Sequence, residues 1–221
     1  MSEAGCVLVV GGAAGIGAAI AASLGDRAVI WSRRHGVDAS DAAQVQQAAH
    51  ALMDRRGVPW AVVHAVGDFH EAPLLGTDAA TAEHLWRNNV STALHVVQAF
   101  VPHMAEAGRG RVLLFGAAGV DRDRAMTRAP VYFAAKAALL QLARSLAAEV
   151  APRNVTVNMI SPGLIHHDQS HQESQRRMLP RVPMGRLGSV DDVTGLALWL
   201  LSAEAGYVTG QNFTVDGGLQ G

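Results

Sequence analysis

The sequence predicts an α/β fold, a single domain built on a doubly wound parallel sheet with helices on both faces. Three observations predict it. Short apolar runs rich in β-branched residues alternate with longer segments whose apolar residues recur every three or four positions. The runs are continuous rather than alternating, as in strands buried on both faces. The composition, 49% hydrophobic against 17% charged over 221 residues, provides a large core and excludes disorder.

Six runs read as strands, at 6–10, 28–31, 60–66, 111–115, 155–160 and 212–215. Between them, helical patterns cover 16–24, 41–55 with Ser40 as N-cap, 81–106, 131–151 and 190–201. The alternation breaks once. After the second strand, residues 32–41 leave no room for a crossover helix of about a dozen residues. Either Val37 opens a short strand or the sheet is smaller here. The segment 164–188, polar with Pro180 and Pro183, reads as a flexible substrate flap carrying one short helix.

Charge and cysteine usage narrow the function classes. A net charge of −1 from 18 basic and 19 acidic residues offers no positive field for nucleic acid or an anionic membrane. One cysteine, Cys6, cannot make an internal disulfide, and the first residues lack a signal peptide's basic and long apolar regions. The longest apolar stretch near the C-terminus, 193–201, is about half what a membrane-spanning helix needs. A cytoplasmic protein acting on a small molecule is the expectation.

The first strand runs into Gly11-Gly12-Ala13-Ala14-Gly15-Ile16-Gly17, which opens the first helix. Glycines in such a turn let the backbone approach a pyrophosphate, whose charge the helix N-terminus favours. The spacing differs from G-x-G-x-x-G, so a tight turn without a ligand stays open at this point. At the end of the second strand, where NAD-binding chains place a carboxylate, stand Arg33 and Arg34. Guanidinium forks suit a 2′-phosphate, which favours NADPH over NADH.

Of the 18 basic residues, Lys136 alone is lysine, and it follows one of only two tyrosines, Tyr132, by four positions. That spacing puts both side chains on one helix face. A neighbouring ammonium favours the phenolate and is expected to bring the phenol toward the working range of a proton shuttle.

With these motifs the chain resembles the short-chain dehydrogenase/reductase family, in particular its 3-oxoacyl-carrier-protein-reductase-like branch. The likeness extends through Asn88-Asn89-Val90, through Asn158-Met159-Ile160-Ser161-Pro162-Gly163, and through Pro183-Met184-Gly185-Arg186-Leu187-Gly188 to Asp216-Gly217-Gly218. It implies a Rossmann-like fold, NAD(P)(H) and hydride exchange with a carbonyl or alcohol. Tyr132 is then the general acid, Lys136 holds the nicotinamide ribose, and Asn89 maintains a water relay. Gly11, Ala14, Gly15, Ile16, Gly17, Arg33, Arg34, Asp38, His64, Ala65, Gly67, Pro162, Gly163 and Ile165 border the cofactor together with Tyr132 and Lys136. The family also implies a homodimer or homotetramer.

The pattern breaks in three places. Relatives carry a serine after the fourth strand, yet none occurs between Arg111 and Tyr132; its place falls on Ala117 counted forwards or Gly116 counted backwards. Thr127 is the nearest hydroxyl upstream of Tyr132. His64 stands where relatives have an asparagine, and His167 where they often have a threonine. His167 and His171 have metal-ligand spacing but no partner, so no metal is expected. The missing serine points to an NADPH-dependent reductase of a carbonyl or of an imine, quinonoid or conjugated substrate. A dehydratase or cyclase on the same scaffold, or an inactive partner subunit, are the alternatives.

Overall fold

The computed structural model describes residues 5–166 and 172–220. Its centre is a six-stranded parallel sheet of β1 (Val7–Val10), β2 (Ala28–Trp31), β3 (Ala61–His64), β4 (Gly110–Phe115), β5 (Val155–Pro162) and β6 (Asn212–Val215). The spatial order is β2-β1-β3-β4-β5-β6. The fold is the doubly wound α/β domain that the alternation of runs predicts.

Seven α-helices connect the strands among the described residues: α1 (Gly15–Leu24), α2 (Ala42–Arg56), α3 (Ala79–Trp86), α4 (Thr92–Glu106), α5 (Pro130–Val150), α6 (Gln172–Met178) and α7 (Val190–Leu201). Alternate residues of a strand point to opposite faces, which divides the core in two. Leu8 and Val10 of β1 face α2, α4 and α5 through Leu52, Phe100 and Leu139. Val7 and Val9 face α1 and α7 through Ile20, Val193 and Leu200. Every residue of β1, β3 and β4 is buried, which is why these runs show no polar alternation.

The break after β2 resolves in favour of a smaller sheet. The chain makes a single 3₁₀ turn at Arg33–His35, closes on Gly36 in the left-handed region (φ 81°), and enters α2 without another strand. Val37 bonds back to Ser32 through its backbone amide at 3.1 Å. β2 is therefore the sheet edge. The N-cap of α2 is Asp41 rather than Ser40: Asp41 Oδ1 accepts from the Ala43 and Gln44 amides at 3.0 and 3.1 Å. The Ser40 hydroxyl turns instead to Asp38 Oδ1 at 2.8 Å.

The helix expected over 81–106 begins at Ala79, where Asp78 accepts from the Thr81 amide at 2.7 Å. It is interrupted by a π-helical turn, Arg87–Ser91, before continuing as α4. Such wide turns concentrate at functional sites because they re-aim side chains without ending the helix. This one carries Asn88 and Asn89. No helix among the described residues is long and apolar enough to cross a membrane.

Candidate active site

The carboxyl ends of β1, β3, β4 and β5 open into one cleft of about 1290 Å³. At the end of β1 the chain turns at Gly11, whose φ of 86° disfavours any other residue. A Cβ there would stand 2.8 Å from the Ala65 carbonyl carbon, and one at Gly17 would stand 2.5 Å from Gly11 O. Two backbones are thus pressed together at the start of α1. The N-cap of α1, Ala14, contributes no side-chain bond, which leaves the first amides of the helix to the cleft wall formed by Ala13, Ala14, Gly15, Ile16 and Gly17.

Arg33, Arg34 and Asp38 line the cleft beside this turn. Asp38 is fixed by the Ser40 amide at 2.9 Å, and this bond, aided by Arg33, holds its carboxyl below the usual range. The Gln44 side chain takes the Asp38 amide, and His95 Nδ1 of α4 bonds Ala39 O at 3.0 Å. The short connection is therefore tied down on both sides.

At the other end Tyr132 and Lys136 share a face of α5, with Lys136 Nζ 5.9 Å from the centroid of the Tyr132 ring. The phenol ring meets Phe69 and Phe133 edge-on, with centroids 5.0 and 5.3 Å away. Lys136 is 4% exposed and donates to Phe115 O at 2.8 Å. Burial lowers its ammonium to about 8, opposed by Asp68. Burial also pushes the Tyr132 hydroxyl well above the ordinary phenol value. Desolvation thus acts on the phenol in the direction opposite to the one expected from the neighbouring ammonium, one of whose three donors is met by Phe115 O.

Asn89 is wholly buried and donates from Nδ2 to Asp68 O and Leu85 O, both at 2.9 Å. Its Oδ1 has no partner. A Cβ at Gly67 would stand 2.7 Å from that oxygen and 3.0 Å from Lys136 Nζ, so the glycine keeps open the space between amide and ammonium. An orphaned acceptor beside a cation suits a bridging water.

His64 is the one expected cofactor residue that the structure does not bring to the cleft. It ends β3 with no exposure, and Nε2 lies 3.0 Å from Thr92 Oγ1. Burial first and the charge of Lys136 second push its imidazole down to about 3. The remaining residues expected at the cofactor all line the cleft, Ala65, Gly67, Pro162, Gly163 and Ile165 included.

Gly116 and Ala117 both line it too, but they are not equivalent. A Cβ at Gly116 would meet Ser161 Oγ and stand 2.7 Å from Met159 Sδ. Ala117 already carries a Cβ and lines the cleft, so it is the position of the two where a hydroxyl adds to an existing side chain. Thr127 is exposed and outside the cleft lining. His167 and His171 lie outside the described residues.

The segments 68–76 and 164–188, which the sequence marks as shaping the pocket without assigning roles, contribute polar groups to the cleft together with α3 and the turn after it. Asp68 Oδ2 accepts from His84 Nε2 at 2.8 Å and from Asn88 Nδ2. Glu71 Oε1 accepts from Arg128 Nη2 and Arg177 Nη2, both at 2.6 Å. Gln175 donates from Nε2 to Ile165 O at 2.7 Å. Asp68 and Glu71 are signalled only by following Gly67; the remainder meet through tertiary structure.

This cleft, on this sheet, defines a class: dinucleotide-binding oxidoreductases with a tyrosine-lysine pair. A family model described as Enoyl-(Acyl carrier protein) reductase matches residues 2–220. Carbonyl reductase family member 4 of Danio rerio is 32% identical, over 96% of this chain and 97% of that protein. The 3-oxoacyl-[acyl-carrier-protein] reductase MabA of Mycobacterium bovis is 30% identical, over 96% and 92%. A solved short-chain type dehydrogenase/reductase from Mycobacterium ulcerans superposes with a TM-score of 0.88 at 25% identity, over 98% of this chain and 90% of that one. The chain belongs to the short-chain dehydrogenase/reductase family and is a nicotinamide-dependent oxidoreductase.

His64 generates a stability prediction. Its folded value lies far below the ordinary 6.5, so the unfolded chain takes up a proton that the folded chain refuses. Stability present above about pH 6.5 is therefore lost as pH falls toward about 3, at about 1.4 kcal/mol per unit. Denaturant unfolding at pH 7 and 4.5 should show the wild type losing roughly 2–3 kcal/mol more than His64→Asn. Parallel losses would mean that the imidazole is not desolvated in the fold.

Proposed function

We propose that the chain is an NADPH-dependent reductase transferring hydride to a carbonyl, or to an activated imine, quinonoid or conjugated substrate, with Tyr132 as general acid. The observation carrying this reading is continuity: one cleft runs from Arg33 and Arg34, past the glycine turn, to Tyr132 and Lys136. Bound along it, the nicotinamide supplies the hydride. Arg33 and Arg34 would hold the 2′-phosphate, Asp38 the adenine side, and the amides opening α1 the pyrophosphate.

Tyr132 donates its proton to the substrate oxygen or nitrogen as the hydride reaches the carbon. A phenol kept neutral by burial is in the state a donor requires. Lys136 stabilises the phenolate as it forms, and a water between Asn89 Oδ1 and Lys136 Nζ returns the proton. With alanine at position 117, no serine steadies a developing oxyanion, which favours substrates polarised by conjugation or charge. The residues 172–188, which include α6, would serve as part of a flap on the substrate side; 167–171 lie outside the described residues.

Titration of cofactor fluorescence should give tighter binding of NADPH than of NADH. Arg33→Ala and Arg34→Ala should each weaken NADPH roughly tenfold while barely changing NADH; equal affinity for both cofactors in the wild type would refute the phosphate assignment. In single-turnover assays with NADPH and a panel of carbonyl, imine and quinonoid compounds, Tyr132→Phe should reduce hydride transfer by about 10²–10⁴ at unchanged NADPH affinity. Undiminished transfer would rule out the general-acid role. Ala117→Ser should raise kcat/KM for simple ketones by about 10². No gain would show that the missing hydroxyl does not set the substrate range.

A further inference from the structure

Helix α6 is seven residues long, and helices shorter than about 12 residues are marginal by themselves in water. Its place depends on what ties it down. Two of its residues, Gln175 and Met178, line the cleft together with Phe69, Glu71, Arg128 and Tyr132. Gln175 fastens the helix to the chain leaving β5, through Ile165 O at 2.7 Å. Glu71 fastens it to the opposite wall. Oε1 of that carboxylate accepts from Arg177 Nη2 at 2.6 Å and from Arg128 Nε and Nη2 at 3.0 and 2.6 Å. Arg128 stands 57 and Arg177 106 residues from Glu71 in sequence, so one oxygen joins three distant segments. Arg128 also donates from Nη1 to Met178 Sδ.

We propose that Glu71 is a positioning residue for the substrate end of the cleft: its carboxylate clamps α6 against the loop after β3 and against the start of α5. Both anchors lie beside Tyr132. Phe69, two residues before Glu71, meets the Tyr132 ring edge-on with centroids 5.0 Å apart, and Arg128 shortly precedes Pro130, which opens the helix carrying Tyr132. The loop thus touches this region twice, at the phenol through Phe69 and just ahead of the helix through Glu71. What holds α6 to that loop also sets the width of the cleft in front of the phenol.

Electrostatics gives the clamp its sign. Both guanidiniums reach the same oxygen, so Nη2 of Arg128 and Nη2 of Arg177 lie no farther apart than twice 2.6 Å. Two cations that close repel unless a negative charge stands between them. With Glu71 the cluster attracts; without it, α6 carries one of two facing like charges and is pushed off the loop. The Glu71, Arg128 and Arg177 side chains are 28%, 37% and 54% exposed, so water and salt screen each pair, and the hold comes from sharing one carboxylate.

Hydrogen exchange of the backbone amides within 173–181 tests this in the free protein, without substrate or cofactor. Glu71→Gln, which keeps the size and an acceptor oxygen, should speed exchange there roughly three- to tenfold. Salt at about 0.5 M should move the wild type toward the variant. Arg177→Gln, which leaves Glu71 to Arg128, should speed it less and provides the comparison should Glu71→Gln fail to fold. The double change Glu71→Arg with Arg177→Glu moves the carboxylate onto α6, still between two guanidiniums, and should restore most of the protection. Unchanged exchange in folded Glu71→Gln or Arg177→Gln overturns the proposal, as does a double variant that exchanges as fast as Glu71→Gln, which would mark the loss as structural. The consequence for turnover rests on the reductase reading: with compounds that are reduced, Glu71→Gln should raise KM more than it lowers kcat, and a fall in kcat at constant KM overturns the positioning role. A wild type that reduces no compound of the panel counts against the reductase reading and leaves the clamp to be decided by exchange.

Discussion

The buried ammonium of Lys136 is the constraint around which the rest of the site is arranged. A cation at 4% exposure costs several kcal/mol unless its donors are met, and here one is met by Phe115 O at the end of β4. Its neighbours follow from that placement. Position 67 has no room for a side chain, because a Cβ would crowd both Nζ and Asn89 Oδ1. His64 stays neutral because it is desolvated and shares the ammonium's field. The π turn supplies the extra backbone width that brings Asn89 inward while its Nδ2 remains bonded to Leu85 O and Asp68 O.

Much of this architecture was legible in the chain because its strands are buried on both faces. Continuous apolar runs located all six strands within about two residues, the usual uncertainty of element ends. The glycine turn and the spacing of Tyr132 and Lys136 are local signals, and both fall in the cleft as expected. What was missed depends on distance in space. The π turn has no residue signature of its own, being one widened turn inside an otherwise continuous helical pattern. The N-cap moved from Ser40 to Asp41 because Asp38 captured the serine hydroxyl. An i, i+4 spacing fixes the neighbourhood of Tyr132 and Lys136 but not the burial of the phenol, which depends on how the cleft closes over it. Asp68, His84 and Asn88 form a cluster only once α3 folds over the loop after β3.

No serine stands between Arg111 and Tyr132, and the two positions at which the family resemblance expects one differ in their surroundings. The Gly116 side-chain direction is filled by Met159 and Ser161, and Ser161 is itself bonded to Asn212 Oδ1 at 2.6 Å. A side chain there would disturb the contact between β4, β5 and β6 before reaching any substrate. Ala117 already carries a Cβ on the cleft wall. Alanine at 117 therefore presents a methyl group and no hydroxyl to the cleft.

With β2 at the sheet edge and no strand opening at Val37, the cleft keeps its place because it forms elsewhere in the sheet. In open parallel sheets the ligand crevice forms where successive connections leave in opposite directions, outside the carboxyl ends of the strands. Here that point lies between β1 and β3, since β2 stands on one side of β1 and all later strands on the other. The edge beyond β2 is two strands away from it. At that edge the 3₁₀ turn at Arg33–His35 leads straight to Asp38 on the cleft lining. The bond from His95 to Ala39 O and that from the Asp38 amide to Gln44 Oε1 hold the arginine turn against the rim of the cleft.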